Sequence, residues 1–434
     1  MTAAPTFREA TRFWLRLGLI SFGGPAGQIA IMQAELVEQR KWIGQEQFLH
    51  ALNFCLLLPG PEAQQLAIYC GWLLHGRRGG VVAGVLFVLP AAAILWALSW
   101  IYLQWGAVPW LAGIFYGLKP AVVAVVAAAV LRLGRKALAH GAGWVIAAVA
   151  LGLIHFWAVP FPAIVAGAVV VGWVGGKFWP AQFGMTDPGV SALTAPHPGD
   201  PTGQASALGS TRSTWSDSAK VIAVGGALWA APVLAAGCFL GWHSTLAQEG
   251  LFFSKAAVVT FGGAYAVLPY VAQQAVEKFH WLAAPQMLDG LALAETTPGP
   301  LIIVLQFAGF AGGWNHPGGL SPLVAATLGA AMTTWTTFVP CFLWVFLGAP
   351  HLERLRGAGR LKAALGAVTA AVAGVILNLA WWLGGQTLRP GAGGVDWFAA
   401  ALAAGAFVAL HRFKANLLGV IAGCGVLGLL WSRG

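Results

Sequence analysis

The chain has 434 residues, 58% of them apolar and 9% charged, with mean hydropathy +0.74. Soluble domains carry about a quarter charged residues, so this composition excludes a soluble enzyme and indicates a polytopic membrane protein. The formal charge of +10 does not point to nucleic acid, because most Lys and Arg lie in short loops between apolar runs, where the anionic cytoplasmic leaflet accounts for them.

The start, MTAAPTFREATRFW, lacks a charged region followed by an apolar run and a cleavage site, so no leader is expected to be removed. About twenty apolar residues cross the hydrocarbon core. On that measure the first half offers spans at 11–38, 47–75, 80–104, 108–131, 143–158 and 161–179. The first is interrupted by "SFGGPAGQ", where Phe22, Gly23, Gly24, Pro25 and Gly27 remove the reason to stay helical. The second is interrupted by Pro59-Gly60-Pro61. Pro59 ends a half-helix, since the residue before a proline leaves the helical region, and Pro61 suits the first position of the next helix. Residues 181–218, rich in Ala, Gly, Pro, Ser and Thr, read as a flexible cytoplasmic linker. One connecting span follows at 219–242, then a second series at 251–277, 285–313, 319–348, 361–384, 396–411 and 413–431. Five scattered cysteines, Cys55, Cys70, Cys238, Cys341 and Cys424, read as buried thiols without disulfide or metal.

The two series are copies. A shift of 239 residues superposes Phe22-Gly23-Gly24 on Phe261-Gly262-Gly263, Trp42 on Trp281 and Pro59-Gly60-Pro61 on Pro298-Gly299-Pro300, with twelve of forty positions identical. Six segments plus one separate the copies, and that odd number turns the second upside down. The expected fold is therefore an all-α polytopic membrane protein of two homologous, inverted-topology repeats. Each has about six membrane segments with broken helices, and a linker and one extra span join them. The expected divisions are a repeat over 1–180, the linker 181–218, a connecting helix at 219–245 and the inverted repeat over 246–434. An inside amino terminus places most Lys and Arg on the cytoplasmic side, leaving Arg40, Lys41 and Arg389 outside and Lys278 inside.

Inverted repeats with helices broken at matching places point to the binding site of a secondary transporter. Broken backbone is tolerated at membrane depth only where protein buries it or it lines a cavity. A lone Gly-Pro kink is usually a packing feature, but two motifs repeated at one spacing are not. Helix N-termini at such breaks carry free N–H groups and partial positive charge, so converging ends make an anion site. The substrate-binding residues expected on this reasoning are Phe22, Gly23, Gly24, Pro25, Gly27, Gln28, Asn53, Pro59, Gly60, Pro61, Glu62, Gln65 and Lys119 in the first half. In the second they are Thr260, Gly262, Gly263, Thr296, Thr297, Pro298, Gly299 and Pro300. Glu62 and Glu295 are intramembrane carboxyls, functional by default. Glu62 follows its break, where the helix dipole favours charge. Glu295 precedes its break, where partial negative charge and low dielectric oppose ionisation, so it is the expected carrier of a coupling proton.

The stretches "SFGGPAGQIAIMQAELVEQRKWI", "LNFCLLLPGPEAQQLAIYCGWLLHG", "GLKPAVVAVV", "TFGGAYAVLPYVAQQAV" and "MLDGLALAETTPGPLIIVLQFAGF" resemble the chromate ion transporter family. The resemblance covers both halves and not the linker. It implies the long-chain, two-domain form, which exports chromate from the bacterial cytoplasm across the inner membrane, driven by the proton gradient. Sulfate is the expected mimic of chromate, and uptake of sulfate or another oxyanion, or an anion channel, are the alternative readings. The absence of P-loop, H-E-x-x-H, G-x-S-x-G and clustered Cys/His motifs argues against an enzyme. No cofactor, metal or nucleic acid is expected. The expected partners are chromate, sulfate, protons and the lipid bilayer, with the chain acting as monomer or homodimer.

Overall fold

The computed structural model describes residues 5–22, 24–106, 108–183, 215–261, 263–351, 359–389 and 394–432. Most of the linker expected over 181–218 thus lies outside the described residues, as do Gly23 and Gly262. Among the described residues the structure is helical, without strands. The first half comprises α1 (Phe7–Ile20), α2 (Gly24–Gln33) running into a π-turn (Ala34–Gln39), α3 (Gln45–Cys55), α4 (Glu62–Trp105), α5 (Pro109–Ala137), α6 (Gly141–Trp157) and α7 (Phe161–Phe178). A connecting helix, α8 (Trp215–Leu240), leads to α9 (Thr245–Val259) and α10 (Ala264–Gln273), which has its own π-turn (Gln274–Lys278). Then come α11 (Ala284–Thr296), α12 (Val304–Asn315), α13 (Pro322–Gly348), α14 (Gly359–Leu388), α15 (Trp397–His411) and α16 (Leu417–Trp431). Six of these, α4, α5, α7, α8, α13 and α14, are long and apolar enough to cross a membrane.

Local chemistry sets where the short helices start and stop. The Thr6 hydroxyl accepts from the Glu9 N–H while the Glu9 carboxylate accepts from the Thr6 N–H, a reciprocal cap that starts α1. The helix buries Ala10, Phe13, Trp14, Leu17 and Gly18, the spacing of a single apolar face. It stops at Ser21, whose hydroxyl donates to the Leu17 carbonyl at 2.6 Å. α9 stops in the same way, with Thr260 donating to Ala256 at 2.6 Å. In each case a hydroxyl occupies a carbonyl that the helix end leaves without a backbone partner.

The first segments of each half do not cross. The Arg40 guanidinium lies 5.2 Å from the Phe13 ring and 4.9 Å from the Trp42 ring, and Phe13 is midway along α1. A chain continuing past Gly24 at about 1.5 Å per residue would carry Arg40 well beyond reach, so the segment after the break turns back beside α1. The second half repeats the contact, with Phe252 at 5.5 Å from Phe279 and 5.7 Å from Trp281. The PGP segments turn back as well. His75 hydrogen-bonds the Pro5 carbonyl at 2.9 Å, and the Asn315 amide donates to the Trp281 carbonyl at 2.8 Å. At Gly76 (φ 62, ψ −157) α4 reverses, in a region open to glycine. Its second arm then packs back on its first so closely that a Cβ on Gly71 would sit 2.5 Å from the Gly79 carbonyl oxygen. The segments at 11–38, 47–75, 251–277 and 285–313, which the sequence leaves open as crossings or re-entrant stretches, fold back as hairpins. Hydropathy measures apolar length, and two arms of a buried hairpin offer as much of it as one span. The fold-back returns Arg40 to the neighbourhood of α1, where it began.

The 239-residue offset recurs in backbone detail. Positive φ angles pair at Gly24 (71°) and Gly263 (95°), Lys41 (53°) and His280 (54°), and Gly60 (119°) and Gly299 (98°). The capping pairs Gly44–Gln47 and Ala283–Gln286 also match. The halves interlock: α5 packs on α14, α15 and α16, while α6 and α7 pack on α14. Small residues permit this approach in a membrane, where apolar burial supplies little net drive. At Gly117 an added Cβ would lie 2.0 Å from the Cys424 carbonyl of α16. Four of the cysteines are buried as expected, but Cys238 is exposed on α8, and all five are free thiols.

Candidate functional site

Each break is stitched by the other half. The Gly60 N–H donates to the Thr260 carbonyl at 2.7 Å, and the Gly299 N–H donates to the Ser21 carbonyl at 2.7 Å. The PGP turn of one half therefore meets the end of the FGG half-helix of the other. Side-chain amides complete the crossing: Gln28 donates to the carbonyls of Gly299 and Ser21, and Gln65 donates to the Pro59 carbonyl at 2.7 Å. Gly18, near the end of α1, faces Leu86 and Pro90, while Gly299 faces Phe87 and Ala91. The crossing thus sits about halfway along the second arm of α4, where water is remote and each exposed backbone group needs a protein partner.

Two cavities open beside the crossing. One, of about 680 Å³, is lined among others by Pro25, Glu62, Arg132, Phe261, Gly263 and Tyr265. The other, of about 450 Å³, is lined among others by Gly24, Arg132, Arg135, Tyr265, Glu295 and Lys414. Arg132 and Tyr265 line both and so stand between them. The Tyr265 hydroxyl donates to Glu295 Oε1 at 2.6 Å. Glu62 Oε1 would lie 3.9 Å from a Cβ on Gly263, so the carboxylate after the first PGP reaches the FGG break of the other half. The starts of α2, α4 and α10 all face the larger cavity through Pro25, Glu62 and Ala264. Their N–H groups and a guanidinium on one space, with two carboxyls at its walls, suit a tetrahedral oxyanion and a proton.

The expected residues fall into three groups. Gly24, Pro25, Glu62, Gly263 and Glu295 line the cavities. Gln28, Pro59, Gly60, Gln65, Thr260 and Gly299 build the crossing itself. The remainder support it or lie apart. Phe22 bonds back to Ile20, Gly27 packs under the Phe22 carbonyl, Pro61 precedes α4, and Pro298 and Pro300 are buried around Gly299. Thr296 and Thr297 spend their hydroxyls on the carbonyls of Leu293 and Ala294, both at 2.8 Å. Asn53 is exposed on α3. Lys119 lines neither cavity but pairs with Asp289 at 3.5 Å, and Asp289 also accepts from Tyr102 at 2.7 Å. The fourth helix start, at Leu301–Ile303, is fully buried and faces neither cavity.

Sequence reasoning missed Arg132, Arg135, Tyr265 and Lys414. The three cations were counted as cytoplasmic topology signals, which the ends of spans carry in any membrane protein. A tyrosine three residues past FGG gave no distinguishing signal. Asp289 and Glu249 were missed although both are ionisable groups inside apolar runs, the pattern that marks function.

The family described as Chromate transporter matches the chain over residues 8–173 and 247–429. The chain is 34% identical to the chromate transport protein of Pseudomonas aeruginosa over 96% of its own length and 90% of that protein. It is 30% identical to the chromate transport protein of Cupriavidus metallidurans, over 98% of this chain and 94% of the other. An uncharacterized transporter of Bacillus subtilis is 31% identical over 32% of this chain and 70% of that protein. No solved structure matches the chain.

Proposed function

This chain belongs to the chromate transporter family, and from that premise we propose a secondary active transporter that exports chromate from the bacterial cytoplasm across the inner membrane, coupled to the proton gradient. The observation that carries the reading is the convergence of Arg132 and the starts of α2, α4 and α10 on one cavity at the crossing of the broken helices. The oxyanion is held by the Arg132 guanidinium and the N–H groups at those helix starts. Sulfate, of the same shape and charge, competes for the same donors. Glu295, hydrogen-bonded to Tyr265, carries a proton, and Glu62 shapes the cavity.

The inverted relation of the repeats belongs to the same proposal, with the divisions 1–180, 181–218, 219–245 and 246–434. The amino terminus is cytoplasmic, and the unit is a monomer or homodimer. Uptake of chromate tracer by inverted vesicles tests the function. A gradient imposed across them should change the flux several-fold in the wild type, and Glu295→Gln should bind chromate but lose that response. Flux that is indifferent to the gradient and linear in chromate concentration would instead describe a channel.

A further inference from the structure

Glu249, on α9, belongs to neither cavity. Its side chain is 0% exposed, and neither carboxyl oxygen has a hydrogen-bond partner among the described residues. Gly312 of α12 and Gly329 of α13 leave the room it occupies: a Cβ on the first would lie 2.4 Å from Oε1, and on the second 2.8 Å from Oε2. Trp281 lies beside the same Gly312. Thr333, one turn beyond Gly329, is also buried with its hydroxyl unpartnered. From α8 the neighbouring side chain is the apolar Val233, beside Gly250. No charged group faces the carboxyl from these elements. Ionised, it would have neither counter-charge nor donor, a cost that a neutral acid avoids.

The rim at this end of α9 is polar. Thr245 stands one turn before Glu249 on the same face of α9. Its hydroxyl donates to the His316 carbonyl at 3.0 Å, and His316 Nε2 hydrogen-bonds the His280 carbonyl at 2.8 Å. Both histidines are exposed, and Glu277 and Lys278 stand just before His280, also exposed.

We propose that Glu249 is a second proton-binding site, apart from the oxyanion. The inference rests on the proton-coupled reading above. A proton on Glu295 shares the cavity of the anion, whereas a proton that loads and leaves independently of the anion requires a carboxyl the anion does not touch. Glu249 meets that requirement.

Two measurements on the full chain in lipid bilayers test this. Infrared spectra at neutral pH should show a carboxylic-acid carbonyl band that Glu249→Gln removes and that persists in Glu295→Gln. In proteoliposomes, chromate flux driven by a pH gradient should fall about tenfold in Glu249→Gln, a loss in the usual range of site coupling, while exchange without a gradient persists and Glu249→Asp keeps the response. An infrared band unchanged by Glu249→Gln, or gradient-driven flux within twofold of wild type, overturns the assignment. So does a flux that a sodium gradient drives and Glu249→Gln abolishes. A wild type with no gradient response would instead defeat the proton-coupled reading, and the infrared band would then decide the proton site alone.

Discussion

Arg132 reaches both cavities from α5. Removing it should take away a charge-assisted hydrogen bond worth about 1.5–3 kcal/mol, so Arg132→Gln should weaken chromate binding by roughly 10- to 100-fold. Arg132→Lys should recover only part, because an ammonium cannot reproduce the planar fork. Equilibrium binding in detergent would check both. Lys119 and Asp289 make a different case. Asp289 is 5% and Lys119 25% exposed at the side chain, so Asp289→Asn strands a partly buried cation. The loss should fall toward or below the lower end of about 3–5 kcal/mol, since Lys119 keeps some solvent, with Lys119→Met in the same chain restoring most of the melting temperature. These residues also show what the sequence could and could not tell. Glu62 and Glu295 were legible because a carboxyl beside a repeated proline break stands out. Arg132 was not, because a cation at the end of an apolar run looks the same whether it marks topology or faces a cavity.

At the scale of elements, the hairpins that open each half are the main departure from the expected layout. The repeat and both breaks were legible, as the offset of 239 residues and the prolines required only counting. The return of the chain was not, since it is dictated by ring contacts between residues far apart, such as Phe13 with Arg40. A cysteine placed at Lys41 should react with an impermeant reagent from the cytoplasmic side, and one at His280 from the outside. Labelling of both from the same side would contradict the inverted hairpins. The two PGP glycines should differ in tolerance. Both have positive φ, which costs a substituted alanine about 1–3 kcal/mol. At Gly299 the new methyl would also meet the Ala91 Cβ at 2.5 Å, whereas at Gly60 it meets the end of the Gln65 side chain at 2.9 Å and the Cys341 sulfur at 3.0 Å. Gly299→Ala should therefore lower thermal stability more than Gly60→Ala, which a melting series in detergent would show.

Across the whole molecule, the halves are held by reciprocal bonds: Gly60 to Thr260 and Gly299 to Ser21. A half alone leaves its PGP N–H without an acceptor in an apolar setting. Two genes encoding 1–200 and 201–434 should then restore chromate transport when expressed together and give none singly. Recovery by either fragment alone would show that the crossing is dispensable. The ionisable groups on the packed helices also differ between the halves. α5 of the first carries Lys119 and Arg132, while α9 and α11 of the second carry Glu249, Asp289 and Glu295. Two first halves brought together would set Lys119 against His50, the counterpart of Asp289 at the 239-residue offset. The ion pair between α5 and α11 thus acts as a key that fits one lock. It rewards the unlike pairing, penalises a pairing of two first halves, and means that the first copy cannot stand in for the second.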